Sequence, residues 1–155
     1  MNTAKPTLSE LAVEISKNML SDYRRTVQPC DAGQYERTRR LFQSRFNFEL
    51  PEAYRTVMLI CNGVKYNGMT ICPVSKSAGF QENIVEFNDD MQGTIDPELI
   101  YLGQMDEELY VWDEEKRIYC AKEMGGLPTW NEFNSAEEMF VFLLRRAMYM
   151  DLVKD

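Results

Sequence analysis

The apolar positions change period along the chain, and each period predicts an element. Leu8, Leu11, Ile15 and Met19 recur at three- and four-residue spacing, which predicts a helix from about Ser9 to Thr26. Pro29, Asp31 and Gly33 interrupt it. A second amphipathic helix is expected from about Gln34 to Arg45, bringing Leu41 to one face and leaving Arg37, Arg39 and Arg40 mostly solvated. Tyr54, Val57, Met58 and Cys61 then fall at i, i+3, i+4 and i+7. Pro51 suits the first position of that helix, where its missing N–H is not needed, and Gly63 follows as a stop.

After the turn signal Asn67-Gly68, Met69 to Val74 reads as a strand ending at a proline. Phe80, Ile84, Phe87 and Met91 return to helical spacing with Glu82, Glu86, Asp89 and Asp90 opposite, so a helix or an irregular covering segment is expected there. Leu99 to Gln104, Leu109 to Asp113 and Arg117 to Lys122 are three short runs joined by the acidic turns Met105-Asp106-Glu107 and Glu114-Glu115-Lys116. That pattern predicts an antiparallel meander. Leu109 and Val111 point one way and Tyr110 and Trp112 the other, so the middle strand is either central or offers an aromatic face to a partner. Ser135 followed by Glu138 three residues later is a capping box, and Phe140, Leu143, Leu144 and Ala147 supply the apolar face of a closing helix. Arg145 and Arg146 sit toward its end, where the dipole favours cations. Helices, strands and a helix in that order give an α+β fold, an antiparallel sheet of about 4–6 strands with N-terminal helices and a C-terminal helix packed on it.

With 155 residues and no repeat or low-complexity linker, the chain is expected to form one domain over 1–155. Hydrophobic residues at 45% and charged residues at 27% are ordinary globular usage. Met1 to Glu10 holds no apolar run, so no signal peptide is read there, and no stretch approaches the roughly 20 apolar residues that span a bilayer. A cytoplasmic location is expected, with Cys30, Cys61, Cys72 and Cys120 reduced.

The chain has no histidine, which closes every His-dependent triad, dyad and metal triad. A zinc site would need four thiolates, and no C-x-x-C pair supplies adjacent ligands. Asn88-Asp89-Asp90-Met91-Gln92-Gly93 echoes the start of a calcium loop but puts Leu99 where the bidentate glutamate belongs. Ser75-Lys76-Ser77 is a commonplace turn tripeptide, and nothing marks any two carboxylates as a hydrolytic pair. No catalytic residue, metal ligand or cofactor is assigned. Binding is the expected activity.

Charge gives that binding a direction. Residues 1–60 hold 9 Lys+Arg against 7 Asp+Glu and residues 61–155 hold 8 against 18, so the net charge of −8 belongs to the second part. From Ser77 to Glu115 there are 12 acids and no Lys or Arg. Such a field repels nucleic acid and anionic membranes and steers a basic protein partner. A charge cluster is also what an ordinary solvated face looks like.

Leu50-Pro51-Glu52-Ala53-Tyr54, Val57-Met58-Leu59 and Cys61-Asn62-Gly63 resemble the "LPxxY…fL…NG" helix of the SUKH superfamily. Tyr101-Leu102-Gly103, Leu109 to Asp113 and Ile118-Tyr119 are similar to its meander, and Asn134 to Leu143 to its closing "sfeefL" helix. The superfamily takes in yeast cell-wall-synthesis regulators, the bacterial Syd protein and many bacterial immunity proteins. The resemblance covers about Arg37 to Met148; Asp106-Glu107-Glu108 replaces the usual glycine between two meander strands, and the first helix has no matching motif. It implies a non-enzymatic binding fold that commonly neutralises a toxin, often a nuclease or deaminase. The candidate partner-binding residues are Glu82, Glu86, Asp89, Asp90, Asp106, Glu107, Glu108, Tyr110, Trp112, Asp113 and Glu114, with Trp130 a further aromatic anchor. The alternative is a housekeeping regulatory or scaffold module; a carboxylate-based hydrolase is a distant third.

Overall fold

Local capping chemistry fixes where the helices begin. The computed structural model describes residues 5–149, so the first four residues of the Met1–Glu10 segment lie outside them. The helix α1 (Leu8–Tyr23) opens on a reciprocal box: Thr7 Oγ1 accepts from the Glu10 N–H at 3.2 Å, and the Glu10 carboxylate accepts from the Thr7 N–H at 2.8 Å. Its expected face, Leu8, Leu11, Ile15 and Met19, is buried, and Arg24 ends it in a left-handed conformation (φ 53) before the expected Thr26. The helix α2 (Ala32–Phe46) opens on an Asp31–Gln34 box. It buries Tyr35 and Phe42 and leaves Leu41 52% exposed, which corrects the expectation for that residue. The aromatic side chains win the inward face because they bury more surface, with Phe42 and Phe46 ring centres 4.5 Å apart.

The helix α3 (Glu52–Met58) has Pro51 as its N-cap rather than its first residue, and Cys61 is buried beyond its end. The Asn62-Gly63 pair then does two jobs. Asn62 Oδ1 accepts from the Val74 N–H at 3.0 Å, and Gly63 adopts φ 107 where a Cβ would stand 2.8 Å from the Phe80 ring. Next comes a hairpin not foreseen in full: β1 (Val64–Tyr66) and β2 (Met69–Ile71) pair about Asn67 (φ 50) and Gly68 (φ 83), the positive-φ pair that tight hairpins need. β2 stops short of the expected Val74.

The acidic segment is a helix, α4 (Ile84–Thr94), capped by Asn83 and Glu86; Phe80 precedes it. It substitutes for a strand. Because β2 pairs with β3 (Leu99–Met105) only at Met69 and Thr70, Asn88 supplies the missing bonds, its amide donating to Tyr101 O at 2.9 Å and its Oδ1 accepting from Tyr101 N–H at 2.7 Å. Gln92 donates to Leu99 O at 2.9 Å. The strands β4 (Glu108–Asp113), β5 (Ile118–Glu123) and the unforeseen β6 (Thr129–Phe133) complete a six-stranded antiparallel sheet in order β1-β2-β3-β4-β5-β6.

The helix α5 (Ala136–Ala147) crosses one face of that sheet. Gly103 lets it come close, since a Cβ there would lie 2.7 Å from Leu143 Cδ2. The closing capping box is half made: Ser135 Oγ accepts from the Glu138 N–H at 3.1 Å, but the Glu138 carboxylate takes the Asn134 N–H at 2.9 Å. α1, α3 and α5 pack on one another around Tyr54, Met58, Phe140 and Leu144. The fold is α+β, with N-terminal helices and a C-terminal helix on one antiparallel sheet.

Candidate functional site

β4 carries an acidic turn at each end, and its six residues hold those turns roughly 20 Å apart at about 3.3 Å per residue. At the β4–β5 turn the carboxylates are engaged within the molecule. Asp113 is buried; it faces the buried Lys122 ammonium at 3.4 Å and accepts from the Lys116 N–H at 3.2 Å. Lys122 also donates to the Thr129 hydroxyl at 2.9 Å. Glu114 accepts from the Trp112 indole at 2.7 Å and from Arg117 at 2.8 Å, and that guanidinium lies 5.6 Å from the Trp112 ring centre. Trp112 is half-buried against Tyr119 and Phe48, with ring centres at 4.8 and 6.2 Å. The polar groups here largely satisfy one another.

The β3–β4 turn at the other end is different. Asp106, in a left-handed conformation (φ 53), and Glu107 are both exposed and have no cationic partner among the described residues. The β4–β5 register sets Glu108 opposite Glu123. Asp106, Glu107, Glu108 and Glu123, with Met124 and Gly125, line a concavity of about 380 Å³. Like charges opposed across a sheet repel, and Arg146 from α5 relieves this by donating to Glu108 at 2.8 Å. The same guanidinium lies 5.1 Å from the ring centre of Trp130, which is 38% exposed. Arg146 therefore stands between Glu108 and an aromatic ring that lines a separate hollow with Lys116, Lys122 and Thr129.

Two predicted contact residues need correction. Tyr110 is wholly buried between Phe133 and Phe142, ring centres 6.4 Å away in each case, and its hydroxyl donates to Glu108 at 3.0 Å. It positions a carboxylate and offers no surface. Asp113 is closed off by its pairing with Lys122. The remaining acids form a third group on α4 and just before it: Glu86 accepts the Asn83 N–H at 2.9 Å, Asp89 accepts from Arg45 at 2.7 Å, and Glu82, ahead of the helix, shares a hydrogen bond with Asp90. That shared bond, with burial and the Asp90 and Glu86 charges, pushes Glu82 up to about 7. The acidic stretch thus divides into three groups rather than one face.

Glu123 was missed because it lies outside the cation-free stretch. Counting back from the Glu114-Glu115 turn places it opposite Glu108, so the hairpin register carried the signal. No local signal marks Arg146, which reaches the site from another element.

The other chemistries are not assembled. Burial pushes Cys61 up to about 11 and Cys72 up to about 12, and raises Cys30 and Cys120, so these thiols are not poised as nucleophiles at neutral pH. Asn88 to Gly93 is part of α4, with the Asn88 side chain committed to β3. Ser75 Oγ accepts from Asn62 in a turn. Among the described residues no three Cys, Asp or Glu side chains come together as a metal set, and no helix is long and apolar enough to cross a membrane.

No curated protein matches the chain. The model of the SMI1 / KNR4 family (SUKH-1) matches residues 40–142, from within α2 to within α5, and leaves α1 outside. The match takes in the Leu50–Gly63 motif, all six strands and both acidic turns of β4. On a match over most of its length, the chain belongs to the SMI1 / KNR4 family (SUKH-1).

Proposed function

We propose that the chain is a non-enzymatic immunity-type protein. The whole chain acts as one binding domain that holds a basic cognate toxin domain, of the nuclease or deaminase kind, and blocks it in the cytoplasm. Family membership supports an immunity-type or SMI1/KNR4-type role. The observation that carries the finer reading is the concavity of Asp106, Glu107, Glu108 and Glu123, in which only Glu108 has a cationic partner among the described residues. Nuclease and deaminase grooves are basic because they hold polyanions, so open carboxylates on a rigid sheet end occupy such a groove as a substrate mimic. Trp130, half-exposed on the other side of Arg146, is a further aromatic contact. Glu86 and Asp90 on α4, with Glu82 just before it, add to the steering field; Glu114, Trp112 and Asp89 keep their internal partners.

The test is recovery of a partner from native lysate at low and high salt, followed by affinity measurement and assay of the partner's own activity. Reversing Asp106→Lys and Glu107→Lys together is expected to weaken the complex by about 100-fold and to flatten its salt dependence. Unchanged affinity would rule the surface out. A partner whose activity is not blocked, and whose expression does not make the chain essential, would favour the regulatory or scaffold module instead.

A further inference from the structure

We infer that the end of the sheet bearing the Asn67-Gly68 and Asp106-Glu107 turns is a self-complementary surface on which a second copy of this chain docks. The first observation is a set of unpaired cations in an acidic protein. Arg39, Arg40, Arg45, Arg55, Arg117 and Arg146 each face a carboxylate. Arg24, Arg25 and Lys65 face none among the described residues; neither do Lys17, Arg37, Lys76 and Lys116, but Arg25 and Lys65 share one notch. Arg25 is half-buried, its Nη1 2.7 Å from where a Gly79 Cβ would stand, and Gly79 keeps that space open at φ +88. Lys65 donates to Gly79 O at 3.1 Å and lies 5.5 Å from the Phe80 ring centre. With Tyr23, Tyr66, Asn67 and Gly68, Arg25 and Lys65 line a notch of about 300 Å³.

The second observation is what borders the notch. Asp106 N–H donates to Gly68 O at 3.0 Å, and its carboxylate fills the space above Gly68, where a Cβ would lie 2.4 Å from Oδ1. The cationic notch and the open acidic turn are thus neighbours, yet within one chain they form no ion pair with each other. The third observation is apolar. Leu20, Tyr23 and Tyr149 are 54%, 47% and 79% exposed. Tyr23 and Tyr149 gather near this end: the Tyr23 hydroxyl donates to Asn67 Oδ1 at 2.9 Å, and the Asn67 amide donates to Ala147 O at 2.8 Å, two residues before Tyr149; Leu20 lies one turn before Tyr23 on α1.

A two-fold interface requires that one patch meet a second patch and that the second meet the first. Adjacent notch and turn meet that requirement, because an axis between them puts each Asp106-Glu107 turn against the partner copy's Arg25 and Lys65, so self-pairing competes with a basic partner for the same carboxylates. Two carboxylates face two cations at each contact, and the exposed apolar side chains are covered between them. Repulsion between two chains of net charge −8 acts at longer range and is screened over about 8 Å at physiological salt.

Sedimentation velocity on the full chain over about 1–100 µM, at physiological and at about 1 M salt, tests this. A dimer is expected at physiological salt, and its dissociation constant should rise at least about tenfold in Arg25→Glu, in Lys65→Glu and in Glu107→Lys. Mixing Arg25→Glu with Glu107→Lys in equal amounts should restore pairing, because both contacts of the mixed pair again join opposite charges. Circular dichroism of each variant checks folding. A chain that stays monomeric at the highest concentration overturns the inference, as does a dimer indifferent to all three substitutions or a mixture that does not pair. A monomer that still captured a basic partner through Asp106 and Glu107 would leave the proposed function standing.

Discussion

Met105-Asp106-Glu107-Glu108 and Asp113-Glu114-Glu115-Lys116 bound the same strand and read alike as acid-rich turns. In the second, Asp113 is held by Lys122 and Glu114 by Trp112 and Arg117. In the first, Asp106 and Glu107 stay open, and a facing strand adds Glu123. The difference lies in what the neighbouring elements bring. β5 carries Lys122, rooted opposite Leu109, whose ammonium extends to Asp113, whereas the cation that α5 brings reaches Glu108 alone. A count of acids along the chain measures the field at a distance; the register decides which of them a partner can touch.

The strongest way to sharpen this comparison is at the core between the turns. Tyr110→Ala empties a wholly buried site beneath α5 and is expected to cost about 4 kcal/mol in urea denaturation. A cost near zero would mean that Tyr110 is free to serve as a contact after all. Lys122→Ala leaves Asp113 buried without its cation and should cost about 3 kcal/mol, whereas Asp106→Asn, which keeps a residue suited to the left-handed backbone there, and Glu107→Ala should stay within about 0.5 kcal/mol. Equal costs at both ends would break the comparison. On the binding side, Glu114→Lys with Glu115→Lys is expected to change partner affinity by less than about threefold, against about 100-fold for the reversed Asp106-Glu107 turn. Surface plasmon resonance reads both. A reversed ranking would move the site to the opposite end of β4.

What was legible in the sequence was local. The helical faces of α1 and α3, the Ser135 cap and the central meander follow from side chains a few residues apart, and so does the Asn67-Gly68 turn. β1 was not legible because Val64-Lys65-Tyr66 is too short to show a period. β6 carries Asn131 and Glu132 among its five residues and pairs with a register shift, so no clean alternation marks it. The site was half legible. Its carboxylates stand in the acidic stretch, but the Arg146–Glu108 pair joins residues 38 positions apart, and the Lys122–Asp113 pair exists only once β4 and β5 are in register. The role of Asn88 in completing the edge of β3 depends on β2 being short, which only the folded sheet shows.

The smallest effect concerns the third acidic group, on and just before α4. Glu82 shares a hydrogen bond with Asp90 and is pushed from its ordinary 4.5 to about 7. The native chain therefore retains a proton that the unfolded chain releases, so the contribution is full below about pH 4.5 and is lost as pH rises through about 7. The urea midpoint should fall between those limits, by an amount worth under about 1 kcal/mol because the pair is partly solvated. Asp90→Asn should flatten that slope, since an amide beside Glu82 adds no negative charge. Glu36, which the Arg39 hydrogen bond holds down at about 2, acts in the opposite sense: its contribution is present above about 4.5 and is lost only as pH falls toward 2. The two windows do not overlap, so a slope between pH 5 and 7 belongs to Glu82. A flat midpoint in the unsubstituted chain would make Glu82 an ordinary independent carboxylate, as open to a basic partner as Asp106 and Glu107, and the contrast between engaged and open acids would then stop at the ends of β4.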